Sequence, residues 1–182
     1  MKKVNWKNIT IELLAGIIST KLKEFEIDSV LVGGACVSIY SKNRYESYDL
    51  DYVTHEDMAS VEKALSELGF EKKGRHFSRK DCFYSIEFVA PPVAIGEELI
   101  KNFKNWKTPL GKIKMLTPTD CVKDRLASFF YWNDRQGLEQ AILVCLDQKV
   151  DFDDLKKWSK KEGHLEKFTI FKTKFSKHKK NK

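Results

Sequence analysis

The stretch YDLDYVT, residues 48–54, decides how this chain is read. In an extended strand, side chains at i and i+2 point to one face, about 7 Å apart along the backbone. Asp49 and Asp51 therefore look the same way, while Leu50 and Tyr52 look the other. Two carboxylates held side by side repel each other, and a strand otherwise built from Tyr48, Leu50, Tyr52 and Val53 would not accept them without compensation. The usual compensation is a hard divalent cation bound through oxygen, most often Mg²⁺ beside a phosphorylated substrate. The motif points to phosphoryl or nucleotidyl chemistry, with Asp49 and Asp51 as catalytic and metal-binding residues.

Upstream, SVLVGG (29–34) is a short β-rich run that ends in Gly33 and Gly34 where a helix should begin. Glycines there allow a tight turn and close approach to a phosphate, and the helix amino terminus offers free N–H groups. A Gly–Gly alone is as readily a simple turn; followed by Asp–Leu–Asp it becomes specific. Downstream, CFYSIEFVA supplies Glu87, a carboxylate in mid-strand that is expensive to bury unless paired or metal-bound. If this strand lies beside YDLDYVT, Glu87 joins the two aspartates around a pair of metal ions roughly 4 Å apart, which would stabilise both the attacking and the leaving oxygen at phosphorus. Otherwise it is an edge-strand residue reaching solvent.

The remaining segments frame this core. Residues 7–26 read as an amphipathic helix and HEDMASVEKALSELG as another, closed by Gly69. FEKKGRHFSRK reads as one β-like stretch, the segment after Pro91–Pro92 as irregular, and FKNWKTPLGKIKML as a hairpin turning at 109–111. From 117 to 148 the texture is helical, with Thr119 or Asp120 as the start and a joint at Asn133–Asp134; DFDDLKKWSKKEG is a further helix. The expectation is an α/β (α+β) fold: a mixed β-sheet core with packed helices over 1–116, a helical carboxy-terminal part over 117–165, and a flexible basic tail over 166–182, within which FTIFKTKF could pair as a strand.

With 42% apolar and 12% aromatic residues the chain can bury a core. No apolar run approaches the roughly 20 residues needed to span a bilayer, and the amino terminus lacks a clean cleavage site, so a cytoplasmic protein without membrane partners is expected. Cys36, Cys82, Cys121 and Cys145 are far apart and read as free, buried thiols. There is no G-x-x-x-x-G-K-[ST] loop, which excludes a P-loop NTPase. The net charge of +7 is uneven: from Lys156 to Lys182 there are eleven Lys against two Glu. That basic end either neutralises nucleic-acid phosphates or simply keeps the terminus solvated. His55 is expected to cap a helix or serve as a base, and the scattered tryptophans to pack.

The string LVGGACVSIYSKNRYESYDLDYVT resembles the signature of the nucleotidyltransferase superfamily, the DNA polymerase β-like fold. Within it the chain is most similar to small prokaryotic AbiEii- and MenT-type proteins, which carry an Arg shortly before the paired aspartates; Arg44 fills that place. The resemblance covers residues 28–90 and, more loosely, 117–140. It implies that Gly33 and Gly34 hold the triphosphate, that Asp49 and Asp51 bind Mg²⁺, and that Glu87 helps to activate an acceptor hydroxyl. VKDRLASFFYWNDRQ is similar to, but reordered from, the phosphate-binding run of related toxins, so Lys123 joins Arg44 as a candidate nucleotide ligand, with Arg125 behind it. Gly34 replaces a Ser common in relatives, and Tyr48 a smaller residue.

Together these readings imply an Mg²⁺-dependent enzyme that moves NMP from an NTP onto a hydroxyl. The acceptor expected first is tRNA held by the basic tail, then a protein or small molecule. A toxin–antitoxin or phage-defence setting, with a possible antitoxin partner, goes with the resemblance. The alternative is a non-catalytic nucleotide- or nucleic-acid-binding member of the same fold.

Overall fold

A computed structural model describes residues 4–180; residues 1–3, and 181 and 182 of the expected tail, lie outside the described residues. A turn of 3-10 helix leads into α1 (Ile11–Glu24), capped by the Thr10 hydroxyl. Leu14, Ala15, Ile18 and Leu22 line one side of α1 and are fully buried, as their helical spacing requires. Next come β1 (Ser29–Val32), α2 (Gly33–Tyr40), β2 (Asp49–Thr54) and α3 (Met58–Ser66), the last capped by Asp57 rather than His55. Strands β3 (Glu71–Lys73), β4 (His76–Ser78) and β5 (Ser85–Val89) follow, then the two-residue strands β6 (Ala94–Ile95) and β7 (Glu98–Leu99), then the hairpin β8 (Phe103–Thr108) and β9 (Gly111–Leu116).

Among the described residues, seven strands form one mixed sheet in the order β3-β4-β5-β2-β1-β9-β8. Pairing is antiparallel except for β2 with β5 and β1 with β9, which are parallel. Every residue of α2 is buried, and α2 contacts α1, α4, α5 and the central strands β1 and β2. The inward face of the sheet is seen at β2. Leu50 and Tyr52 are wholly buried, and the Tyr52 hydroxyl donates to the Ala15 carbonyl at 3.2 Å. Alternation then sends Asp49 and Asp51 to the opposite face. The buried Tyr40 hydroxyl donates to the Leu116 carbonyl at 2.6 Å and ties α2 to the end of β9.

The carboxy-terminal helices are α4 (Pro118–Trp132), α5 (Arg135–Asp147), α6 (Phe152–Lys161) and α7 (Leu165–Lys180). The joint expected at Asn133–Asp134 is present: Asn133 is left-handed at φ 54° and Asp134 caps α5. The cap of α4 is Thr117, two residues before the expected Thr119, because Pro118 suits the first helical turn.

Three expectations change. FEKKGRHFSRK is not one strand but the tight hairpin β3–β4, because Gly74 takes φ 65° at its turn. The segment after Pro91–Pro92 contains the small hairpin β6–β7. Residues 166–180, expected as a flexible tail or a strand, instead form most of α7. Phe168 and Phe171 are buried, and Phe171 stacks on Phe152 with ring centroids 6.1 Å apart. That spacing of aromatic residues is helical, and the hydrophobic surface it buries outweighs repulsion among the lysines, of which Lys167 bonds the end of α4 and Lys174 pairs with Glu139.

Phe171→Ala should cost about 3–5 kcal/mol in chemical denaturation, the range for truncating a buried Phe. A helix that frays freely would show almost no loss.

Candidate active site

The site is assembled by sheet register. Strands β2 and β5 are parallel neighbours, with Asp51 abreast of Glu87 and Asp49 abreast of Ser85. Abreast residues share a face, so Asp49, Asp51 and Glu87 all project from the side of the sheet opposite Tyr52. The strand adjacency on which Glu87 depended is therefore present.

Gly33 closes the same corner from β1. It stands at the end of that strand, next to Val32, which pairs with Asp51. Its φ of 68° is left-handed, and a Cβ there would collide with Asp51 Oδ2. Glycine is needed twice over, for the backbone turn into α2 and for the close approach of the carboxylate. Gly34 is explained by a residue that sequence reasoning missed. The buried Ser47 hydroxyl donates to Asp49 Oδ1 at 2.8 Å, and a Cβ on Gly34 would lie 2.8 Å from Ser47 Oγ. Ser47 N–H in turn donates to Ser38 Oγ at 2.9 Å. A hydroxyl thus reaches this corner from the loop before β2 instead of from the helix terminus.

The electrostatics follow from the crowding. Asp51 is pushed up from the usual carboxylate range to about 6, first by burial and then by the negative charges of Asp49 and Glu87. Arg125 pulls the other way, so α4 brings a cation near enough to affect Asp51. Arg125 itself is held by Asp124 at 2.5 Å and by Gln140 at 3.3 Å.

The other candidates lie differently. Lys123 is buried, donating to Glu98 at 2.9 Å and paired with Asp154 at 2.8 Å. Burial works against its charge, but the bonds to Asp154 and Glu98 outweigh it and hold the pKa up. It ties the β6–β7 hairpin and α6 to α4 instead of joining the carboxylates. Arg44 is fixed to α5 through Asp147 and the Leu143 carbonyl. Of the two α4 cations, the structure brings Arg125 rather than Lys123 to bear on Asp51. Residues two apart on a helix point in different directions, and nothing in the local sequence says which of the two comes nearer β2. All four cysteines are free, and Cys36, Cys121 and Cys145 are buried.

Three carboxylates on one face form a hard, oxygen-only donor set of the kind Mg²⁺ takes, and the displaced pKa of Asp51 marks a charge that a cation would relieve. In donor chemistry the residues fit the ion. Among the described residues, however, no three His, Cys, Asp or Glu side chains are gathered at ligating distance; the three share a face without converging on one point.

A nucleotidyltransferase-like protein from Paracoccidioides brasiliensis superposes with a TM-score of 0.56 at 14% identity over 78% of each chain. The fold is that of the nucleotidyltransferases. ANT(2")-Ia in complex with adenylyl-2"-tobramycin aligns with a TM-score of 0.50 at 13% identity over 92% of this chain and 97% of that one. No protein-family model and no curated protein matches the chain.

With its folded-state pKa raised above the unfolded value, Asp51 holds its proton longer in the folded protein. Stability falls as pH rises from about 4 to 6 and then levels off, a loss of at most ~3 kcal/mol. Asp51→Asn should therefore match wild type near pH 4 and exceed it in thermal stability at pH 7.5 without metal. Equal pH profiles would show that Asp51 carries no such strain.

Proposed function

We propose that this chain is a nucleotidyltransferase that moves NMP from an NTP onto a hydroxyl of RNA. The reading is carried by one observation: Asp49, Asp51 and Glu87 share a sheet face beside the glycine turn that opens α2. A binding module gains nothing from three mutually repelling carboxylates, whereas in-line transfer at phosphorus uses them to hold cations against the charge of a triphosphate.

Asp49, Asp51 and Glu87 would hold Mg²⁺, which supplies charge neutralisation at the phosphates when bound. The protein's own contribution is placement. Gly33, by giving its side-chain space to Asp51, sets that carboxylate against the turn that opens α2, where a helix amino terminus would favour a phosphate. Ser47 orients Asp49 through its 2.8 Å bond and keeps one lone pair of that carboxylate occupied. Glu87, abreast of Asp51 on the side away from β1, would draw the proton from an acceptor hydroxyl. Arg125, held by Asp124, would offset part of the negative charge at the same corner.

RNA is favoured as acceptor by the lysine-rich helices α6 and α7. Between them runs a groove of about 510 Å³ whose walls include Lys156, Lys172, Thr169, Thr173 and Ser176. Ammonium groups interleaved with hydroxyls suit a phosphate backbone. The second reading is a small-molecule acceptor, suggested by the adenylylated tobramycin bound in the ANT(2")-Ia neighbour. A toxin–antitoxin or phage-defence setting rests on the sequence resemblance alone.

Incubation with each α-labelled NTP, Mg²⁺ and total RNA should label RNA, and Asp49→Ala should reduce labelling at least a hundredfold. Glu87→Gln should slow transfer more than it weakens NTP binding. Transfer by Asp49→Ala at the wild-type rate would overturn the assignment. Labelling of an aminoglycoside in place of RNA would select the second reading.

A further inference from the structure

A cavity of about 270 Å³ adjoins the carboxylate face. Its floor continues the strand that carries the aspartates: Val53 lies two residues beyond Asp51, roughly 7 Å along the same face, and pairs with Val30 of β1, which also lines the cavity. The chain that follows β5 folds over this floor, bringing Leu99 and Ile100 to one wall, while Phe103 of β8 provides another. Lys114 sits over the Phe103 ring at 5.1 Å from its centroid and is bound to Asp28 at 2.7 Å, so that wall is braced. Leu99 is 57% exposed although it is a large apolar side chain at the rim of an apolar hollow. Small-ligand sites are typically apolar concavities with a few polar groups, of about 300–1,000 Å³. This one is slightly smaller, the right scale for one planar ring system and too small for a whole nucleotide.

We propose that this cavity receives the nucleobase of the NTP. The inference rests on the nucleotidyltransferase reading of the carboxylate face and adds where the nucleoside lies. Along β2 the features come in order: Asp49 with Ser47, Asp51 with Gly33, then the Val53–Val30 floor. A triphosphate at the glycine turn, with its α-phosphate over Asp51, has its ribose directed along the strand towards Val53. The base then lies flat on two valines, edged by Phe103 and closed by Leu99. His55 and Lys101 at the rim remain to meet its polar edge.

Binding of an NTP and of inorganic tripolyphosphate to the full-length chain, measured by calorimetry with Mg²⁺, tests the placement. Leu99→Ser removes an exposed wall residue without touching the core, and Val53→Phe fills the hollow from its floor. Both should weaken the NTP about tenfold or more and leave tripolyphosphate at its wild-type affinity. Wild-type NTP affinity in a folded Leu99→Ser protein would overturn the base site while leaving the carboxylate reading intact. Equal loss of both ligands would also overturn it, because the change would then act at the phosphate end. No NTP binding by the wild type would overturn the base site and the nucleotidyltransferase reading together.

Discussion

Repulsion among three carboxylates on one sheet face is the constraint around which this structure is arranged. Asp49 and Asp51 share a face because strands alternate, and Glu87 joins them because β5 lies parallel to β2 in that register. The consequence is visible in Asp51, whose pKa rises to about 6 through burial and its two acidic neighbours. A fold without a use for that charge would lose it readily, since one Asp→Asn change removes the strain.

The surroundings of the trio have the same logic. Gly33 cannot carry a side chain because Asp51 occupies the space, and Gly34 cannot because Ser47 does. Two adjacent glycines that look like a single flexible turn thus have different causes. Beyond them, α2 is buried along its whole length between the sheet and the carboxy-terminal helices. Its amino terminus is therefore held fixed against the carboxylates. Rigid placement of this kind is what an electrostatic mechanism requires, because positioned groups need no reorganisation during the reaction.

What could be read from sequence was what depends on local periodicity. The Asp–Leu–Asp alternation, the strand ending in glycine, the long amphipathic helix before it and the Asn133–Asp134 joint all follow from neighbours in the chain. The partnership of Glu87 with the aspartates depended on strand order, and the register supplies it. Other features were beyond local reading. Ser47 looks like any loop serine until β2 and α2 are brought together. Lys123 and Arg125 differ in helical phase, which turns one towards Glu98 and Asp154 and leaves the other, bonded to Asp124 and Gln140, within electrostatic reach of Asp51. The lysine-rich end looked unstructured because charge dominates its composition. Its phenylalanines at helical spacing decide the matter by packing on Phe152.

The most direct test is a crystal structure grown with Mn²⁺ and a non-hydrolysable NTP, read by the anomalous signal of the metal. The account expects a peak about 2 Å from oxygens of Asp49 and Asp51, with Glu87 turned towards the same point and phosphate oxygens beside Gly33. A well-ordered nucleotide bound elsewhere, with no metal density between the two aspartates, would contradict it.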